Sequence, residues 1–152
     1  MIGFLLRLSA WLPPGLRAHA TQARLELLTQ FCMFGTVGLI GLVLDTAAVY
    51  GLRSLLGLYG AGLVAFFVAA SGTWFCNRTW TFRGQGGTAP WYRQWIRFLG
   101  ANMSGFVLNR GVYTILVTFV AAAAREPVIA VAAGAVAGMT VNFNMSRRLV
   151  FR

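Results

Sequence analysis

Three polar residues interrupt long apolar stretches of this sequence, and their types suit the handling of charged or hydroxylated groups. Asp45 lies in one stretch, and Asn109 and Arg110 lie in another. At the centre of a lipid bilayer a charge costs about 2.5–3.5 kcal/mol, so it normally faces the protein interior. We therefore predict that Asp45 and Arg110 face inward and pair, directly or through water. The pair either fixes helix register or lets Arg110 hold an anion, because the guanidinium fork matches phosphate oxygens.

A second set of polar residues lies where two other apolar stretches end. Arg78 and Arg147 occupy corresponding positions there. Together they would form a basic vestibule for a negatively charged headgroup, whereas arginines that only anchor the helices are the alternative. Asn77 and Asn142 lie deeper, where amides hydrogen-bond between helices or bind a ligand.

The remaining reactive residues predict neither catalysis nor a metal site. The sequence has three acids, Glu26, Asp45 and Glu126, and a single histidine, His19. Paired carboxylates and nucleophile–base arrangements are hard to build from isolated groups. No metal-ligand spacing is present, since the two cysteines lie singly in apolar segments. We predict a protein that is not an enzyme and binds no metal or cofactor.

The composition indicates that the apolar stretches cross a membrane. Hydrophobic residues make up 58% of the 152 residues and charged residues 11%, whereas soluble domains have about 45–50% and about 25%. A soluble protein of this size needs more charge to cover its surface. The net charge of +10 comes from arginines at the ends of apolar runs. Because they form no continuous basic face, nucleic acid is excluded as a partner.

Four stretches are long enough to cross about 30 Å of hydrocarbon as helices. They cover about residues 31–52, 60–77, 98–120 and 127–145. Ten arginines lie before the first span, between the second and third, or after the fourth, against two in the opposite loops. This asymmetry predicts that both termini are cytoplasmic. Residues 1–24 are predicted to form an amphipathic interfacial segment, with a disordered tail as the alternative, and residues 25–152 form the membrane domain.

The two halves of the sequence resemble each other. Residues 41–45 (GLVLD) match 105–109 (GFVLN) at an offset of 64, and residues 77–83 match 146–152 at an offset of 69. Each half would be a helical hairpin that enters and leaves on the same sides, so the repeat is parallel. The predicted fold is therefore an all-α integral membrane protein of two helical-hairpin repeats. Such repeats often bind substrate at the interface between the halves.

Distinctive motifs flank the four spans. The motifs are Gln30-Phe31-Cys32-Met33-Phe34-Gly35 followed by Asp45, Asn77-Arg78-Thr79-Trp80-Thr81-Phe82, Gln94-Trp95-Ile96-Arg97-Phe98, and the stretch from Asn142-Phe143 to Phe151. An ending rich in arginine and aromatic residues follows spans two and four, although the second copy has Ser146 for Asn77 and Leu149 for Trp80. Over about residues 30–152 these motifs resemble those of the GtrA-like proteins.

The resemblance implies a multi-pass protein of the bacterial inner membrane that serves cell-surface polysaccharide synthesis. Members of the family are thought to move polyprenyl-phosphate-linked monosaccharides, such as sugars on undecaprenyl phosphate, from the cytoplasmic to the outer face. A membrane glycosyltransferase then uses the sugar there. The partners expected from this resemblance are the sugar lipid, membrane lipids and a glycosyltransferase.

The polar residues and the resemblance together predict a path for the lipid headgroup. Arg78 and Arg147 would collect the phosphodiester, and Arg110 would accept it further in, leaving Asp45. The sugar hydroxyls would meet three amides, those of Asn77, Asn109 and Asn142. Four spans are few for an enclosed path, which favours a homodimer or larger assembly.

Two other functions remain open from the sequence. A small proton-coupled multidrug exporter also has four spans, and Asp45 would supply its titratable carboxylate, although an arginine in span three disfavours a path for cationic drugs. A scaffold that recruits a glycosyltransferase without transport is the other alternative.

Overall fold

The computed structural model describes residues 21–85, 87 and 89–151, and all regular structure in this part of the chain is helical. The all-α prediction is therefore confirmed for these residues. The interfacial segment predicted over residues 1–24 falls almost entirely outside them. The helices are α1 (Gln22–Cys76), α2 (Trp91–Phe119), α3 (Ala121–Arg125) and α4 (Pro127–Met145), with π-helical turns at Asn77–Thr81 and Ser146–Val150.

Helix α1 is broken at Gly57 into two antiparallel legs. Gly57 has φ 67° and ψ 174°, a backbone conformation that glycine adopts without the clash of a Cβ atom. Gly41 faces the side chain of Thr73 so closely that an added Cβ would overlap it. The leg of residues 22–56 therefore runs back against the leg of residues 58–76, forming the first hairpin.

The second hairpin is built from α2 and α4, which approach each other through small residues. A Cβ atom added to Gly134 would lie 2.7 Å from the carbonyl oxygen of Asn109, and one added to Gly138 would lie 2.7 Å from that of Gly105. Only glycine allows backbones this close, and the four-residue spacing of Gly134 and Gly138 is typical of such helix contacts in membranes.

The helices are longer than the predicted spans. The first leg begins at Gln22 and not near residue 31, and α2 begins at Trp91 and not near residue 98. The loop predicted over residues 53–59 is helical apart from the break at Gly57. Hydropathy marks where a segment is apolar, whereas backbone hydrogen bonding continues through polar and aromatic residues into the interface.

The internal repeat is visible in the structure. Both hairpins end in a π-helical turn, closed by hydrogen bonds from the backbone N–H of Phe82 to the Asn77 carbonyl (2.8 Å) and of Phe151 to the Ser146 carbonyl (2.9 Å). Within each half, corresponding rings meet in corresponding ways. The centroids of Phe34 and Phe82 are 6.2 Å apart at 61°, and those of Phe98 and Phe151 are 6.2 Å apart at 65°. The repeat predicted from sequence is therefore a structural repeat.

The two hairpins meet in an aromatic cluster next to the π-helical turns. The rings of Phe82 and Phe151, which correspond to each other in the repeat, stack at 4.7 Å with an interplanar angle of 17°. Phe143 adds edge contacts to Phe31 at 5.2 Å and to Phe34 at 5.6 Å. These contacts, with Phe98, make up most of the buried apolar core.

The outer surface of the helices is apolar, as in a protein whose solvent is lipid. Large side chains such as Leu39, Val43 and Phe119 are 66%, 67% and 79% exposed. Two helices of the described part, over Gln22–Thr81 and Pro127–Val150, are long and apolar enough to cross a bilayer. Helix α2 has the length, but its arginine and asparagine residues lower its mean hydropathy.

Candidate functional site

A cavity of about 520 Å³ lies between the two hairpins, and both legs of α1 together with α2 and α4 line it. We call it the central cavity. Its walls are mostly apolar, formed by glycine, alanine, leucine, methionine and phenylalanine residues. Small residues leave this space open, because Gly38 has no neighbour within 4 Å of where a Cβ would stand. The cavity occupies the interface between repeats, where the sequence predicts a substrate site.

Six polar side chains line the central cavity, and we call them the polar ladder. Gly41 of the first leg contacts Thr73 of the second leg. Asp45 lies one helical turn further along the first leg, and Asn77 lies one turn further along the second. Because the legs are antiparallel, these two residues mark opposite ends of the ladder. At about 1.5 Å per residue the ladder is about 12 Å long, which is less than half of the roughly 30 Å of hydrocarbon in a bilayer. The ladder consists of Asp45, Thr73, Asn77, Asn102, Asn109 and Asn142.

Asn142 approaches the backbone of α2 in the way that Thr73 approaches the first leg. A Cβ atom added to Gly105 would overlap the Asn142 amide, as one added to Gly41 would overlap the Thr73 methyl group. The two contacts are equivalent in the repeat, with glycine as the partner each time. The Oδ1 atom of Asn142 is buried and has no hydrogen-bond partner in the described part of the chain.

Asn77 is the most buried member of the ladder. Its side chain is 1% exposed, and neither Oδ1 nor Nδ2 has a hydrogen-bond partner among the described residues. An unpaired buried polar group costs about 1–3 kcal/mol. An amide that carries this cost beside a cavity is suited to donate to and accept from a hydroxylated ligand.

The structure does not bring Arg110 into the cavity, and the predicted inward orientation is wrong for this chain. Its side chain is exposed, and its guanidinium carbon lies 5.7 Å from the centroid of the Phe106 ring. No ion pair joins it to Asp45 in the described residues, so the predicted direct pair is also absent. Successive helical residues point about 100° apart, and Asn109, the repeat equivalent of Asp45, takes the inward direction instead.

The two arginines of the predicted vestibule also lie outside the cavity lining. Arg147 is exposed. Arg78 donates from Nη1 to Oε1 of Gln94 at 2.8 Å and stands 5.5 Å from the centroid of the Trp74 ring. The structure thus unites Asp45, Asn77, Asn109 and Asn142 in one cavity and leaves the three predicted arginines outside it.

Gln94 links the hairpins at the π-helical turns. It is fully buried, it accepts from Arg78, and its Nε2 donates to the Val150 carbonyl at 3.3 Å. Its repeat equivalent, Gln30, has a buried Oε1 atom with no partner in the described chain. The two halves therefore differ at this position, since only the second glutamine ties one hairpin to the other.

We expect Gln94→Leu to destabilise the fold and Gln30→Leu to leave its stability unchanged or raised. The first change leaves buried partners unpaired, which costs about 1–3 kcal/mol, whereas the second removes a group whose oxygen is already unpaired. Thermal unfolding of both purified variants in detergent, followed by circular dichroism, measures the difference. An equal fall in apparent Tm for the two variants would contradict this account.

Sequence reasoning missed one member of the ladder. Asn102 lines the cavity and donates from Nδ2 to the Phe98 carbonyl at 2.9 Å. The signal was present, because Asn102 precedes Asn109 by two helical turns and so shares its face. Thr73, another member, donates to the backbone carbonyls of Ala69 and Ala70 at 2.9 and 3.1 Å.

The structure and its cavity define a class of protein: a helical membrane protein with an amide-lined cleft between two repeated hairpins. Comparison with known families agrees, since the family described as GtrA/DPMS, transmembrane domain, matches residues 33–151. The chain belongs to this family, which confirms the resemblance seen in its motifs. A search of curated proteins found no significant match.

Proposed function

We propose that this chain translocates a polyprenyl-phosphate-linked monosaccharide across the bacterial inner membrane. In this proposal it has four spans with both termini in the cytoplasm, it is not an enzyme, and it supplies sugar for cell-surface polysaccharide. Membership of the GtrA/DPMS family supports a role in membrane processes that involve polyprenyl-phosphate sugars. The observation that carries the proposal is the polar ladder inside an apolar cleft.

The chemistry of the ladder suits a sugar better than a phosphate or a cationic drug. Four of its six members are amides, which donate and accept in the same way as hydroxyl groups. Asp45 is its only charged residue, and a carboxylate accepts hydrogen bonds from sugar hydroxyls but repels a phosphodiester. The unpaired amide of Asn77 and the Oδ1 atom of Asn142 would gain partners when a sugar enters.

The phosphodiester would then stay at the edge of the cavity. It joins the sugar to a polyprenyl tail that remains in lipid, so it must lie between the two. Phe106 lines the cavity, and Arg110 stands over its ring on the exposed side of α2. We assign the phosphodiester to Arg110 at this lateral edge. This replaces the interior site that the sequence suggested for the same guanidinium.

Loading from the cytoplasm would require the hairpins to move. The aromatic cluster closes the end of the bundle that carries the π-helical turns, and Phe34 and Phe98 belong to both the cluster and the cavity wall. The ladder spans about 12 Å at 1.5 Å per residue. A second conformation of the hairpins must therefore carry the sugar across the rest of the hydrocarbon. A homodimer or larger assembly would cover the exposed flank of α2 and narrow this path.

Reconstitution of the purified chain into vesicles tests the proposal. Vesicles are loaded with a short-chain polyprenyl-phosphate hexose and treated with periodate, which oxidises sugar diols but does not cross the bilayer. We expect the whole pool of sugar lipid to become oxidised with the protein and only the outer-leaflet pool without it. Vesicles containing an unrelated membrane protein control for leakage, which is measured with an entrapped dye.

The same experiment tests the scaffold, and a drug-resistance assay tests the exporter. A scaffold for a glycosyltransferase would leave the inner-leaflet sugar lipid protected, and that result would reject translocation. A proton-coupled exporter would confer drug resistance on cells and lose it with Asp45→Asn. We expect no such resistance, because the structure puts four amides beside that single carboxylate.

A further inference from the structure

A second pocket, of about 610 Å³, lies between α2 and the end of α4 with its π-helical turn. We call it the lateral pocket. Gly100, Ala101 and Ser104 form one wall, on successive turns of α2. Met145 and Leu149 form the opposite wall. None of its lining residues lines the central cavity.

Two arginines, Arg97 and Arg148, also line the lateral pocket. Both side chains are exposed, and neither has a hydrogen-bond or ion-pair partner in the described part of the chain. Two unpaired guanidinium groups lie beside an apolar groove of small residues, so the site has a cationic end and a lipophilic groove. That combination matches a phosphodiester attached to hydrocarbon chains.

This pocket breaks the symmetry of the repeat. The residues of the first half that correspond to Arg97 and Arg148 are Met33 and Thr79, and Gly100 corresponds to Thr36. The first hairpin therefore has neither the charge nor the glycine at the equivalent place. The basic groove belongs to the second hairpin alone and does not follow from the duplicated architecture.

We propose that the lateral pocket binds an anionic glycerophospholipid of the surrounding membrane, such as phosphatidylglycerol. Its phosphodiester contacts Arg97 and Arg148, and an acyl chain lies along Gly100 and Ser104. Bound there, the lipid bridges α2 and the second π-helical turn, which meet at the aromatic cluster.

The position of the pocket distinguishes this lipid from the transported one. Phe98, Asn102 and Gly105 face the central cavity, whereas Ala101 and Ser104 face the lateral pocket. Helix α2 itself therefore separates the two sites. A sugar lipid held in the lateral pocket has no direct route to the polar ladder, so a resident phospholipid fits better than a substrate on its way in.

Native mass spectrometry of the purified chain in detergent tests this proposal. Dioleoylphosphatidylglycerol is titrated against dioleoylphosphatidylcholine, which has no net charge. We expect a preference of about tenfold or more for the anionic lipid, since each arginine near the surface contributes about 1 kcal/mol. The double change Arg97→Gln with Arg148→Gln should remove that preference. Ser104→Phe fills the groove without changing the charge and should weaken binding of both lipids.

The control is the double change Arg83→Gln with Arg93→Gln, which removes the same charge from two exposed arginines outside the pocket. It should retain the preference. Equal binding of the two lipids, or equal loss in the control, overturns the proposal. So does displacement of phosphatidylglycerol by a polyprenyl phosphate sugar, because the pocket would then belong to the transport path. Sugar-lipid translocation is measured separately, in phosphatidylcholine vesicles. A failure of the translocation proposal can therefore be distinguished from a failure of the phospholipid-binding proposal.

Discussion

Arg110→Gln is expected to slow translocation of a polyprenyl-phosphate hexose in vesicles by about 10- to 100-fold. Hydrogen bonds to charged groups contribute about 1.5–3 kcal/mol, and each 1.4 kcal/mol is a factor of ten. The guanidinium stands over Phe106 at the edge of the central cavity, where the proposal locates the phosphodiester. Folding should be unaffected, because the side chain is exposed and no ion pair with Asp45 depends on it.

Arg53→Gln is the matched control for this experiment. Arg53 is also exposed, and its guanidinium carbon also stands over an aromatic ring, 4.4 Å from the centroid of Tyr50. It lies near the break at Gly57, away from the cavity lining. Arg53→Gln should translocate at the wild-type rate. Similar rates for the two variants would remove Arg110 from the mechanism, while Arg110→Lys tests whether charge alone suffices.

The contrast between Asp45 and Arg110 shows what the sequence does and does not specify. A polar residue in an apolar run marks a depth in the membrane, and the repeat pairs Asp45 with Asn109. Direction around the helix is a separate matter. Neighbouring residues point about 100° apart, and in this structure Asn109 lines the cavity whereas Arg110 does not. The choice between them depends on how α2 packs against α4.

The positions of the glycines predict which helices pack together, but they do not predict which way Arg110 points. Gly134 and Gly138 bring α4 against the backbone of α2 at Gly105 and Asn109. With this contact made, Asn109 lines the central cavity and the next residue, Arg110, is exposed. The helix contact was predictable from a four-residue spacing, but the rotation requires knowing which face of the partner helix receives it.

The arginines near the π-helical turns were harder to predict. Hydropathy ends the second span near residue 77, and nothing in the residue types distinguishes an arginine that binds a headgroup from one that pairs within the protein. The distinguishing contact comes from Gln94, which follows Arg78 by sixteen residues and reaches it only through the tertiary fold. The equivalent pair, Gln30 and Arg147, has the same residue types but no such contact among the described residues.

Asn77→Leu is expected to preserve or raise the stability of the protein and to weaken its binding of the sugar lipid. The Asn77 amide is buried without a partner. Replacing it with an apolar side chain of similar size should remove an unpaired-group cost of about 1–3 kcal/mol, so thermal stability should hold or rise. Sugar-lipid binding should weaken by about tenfold or more, because two hydrogen bonds of about 0.5–1.5 kcal/mol each are lost.

The readout is apparent Tm in detergent with and without a short-chain polyprenyl-phosphate hexose. Wild-type protein should be stabilised by the lipid, and Asn77→Leu should lose most of that shift while its own Tm does not fall. Asn144→Leu is the control, since Asn144 donates to the Thr140 carbonyl at 2.8 Å and does not line the cavity. If Asn77 served only for packing, Asn77→Leu would instead lower the Tm and leave the ligand-induced shift in Tm intact. A sugar hydroxyl that pairs with the Asn77 amide would offset this cost, and the variant tests that explanation directly.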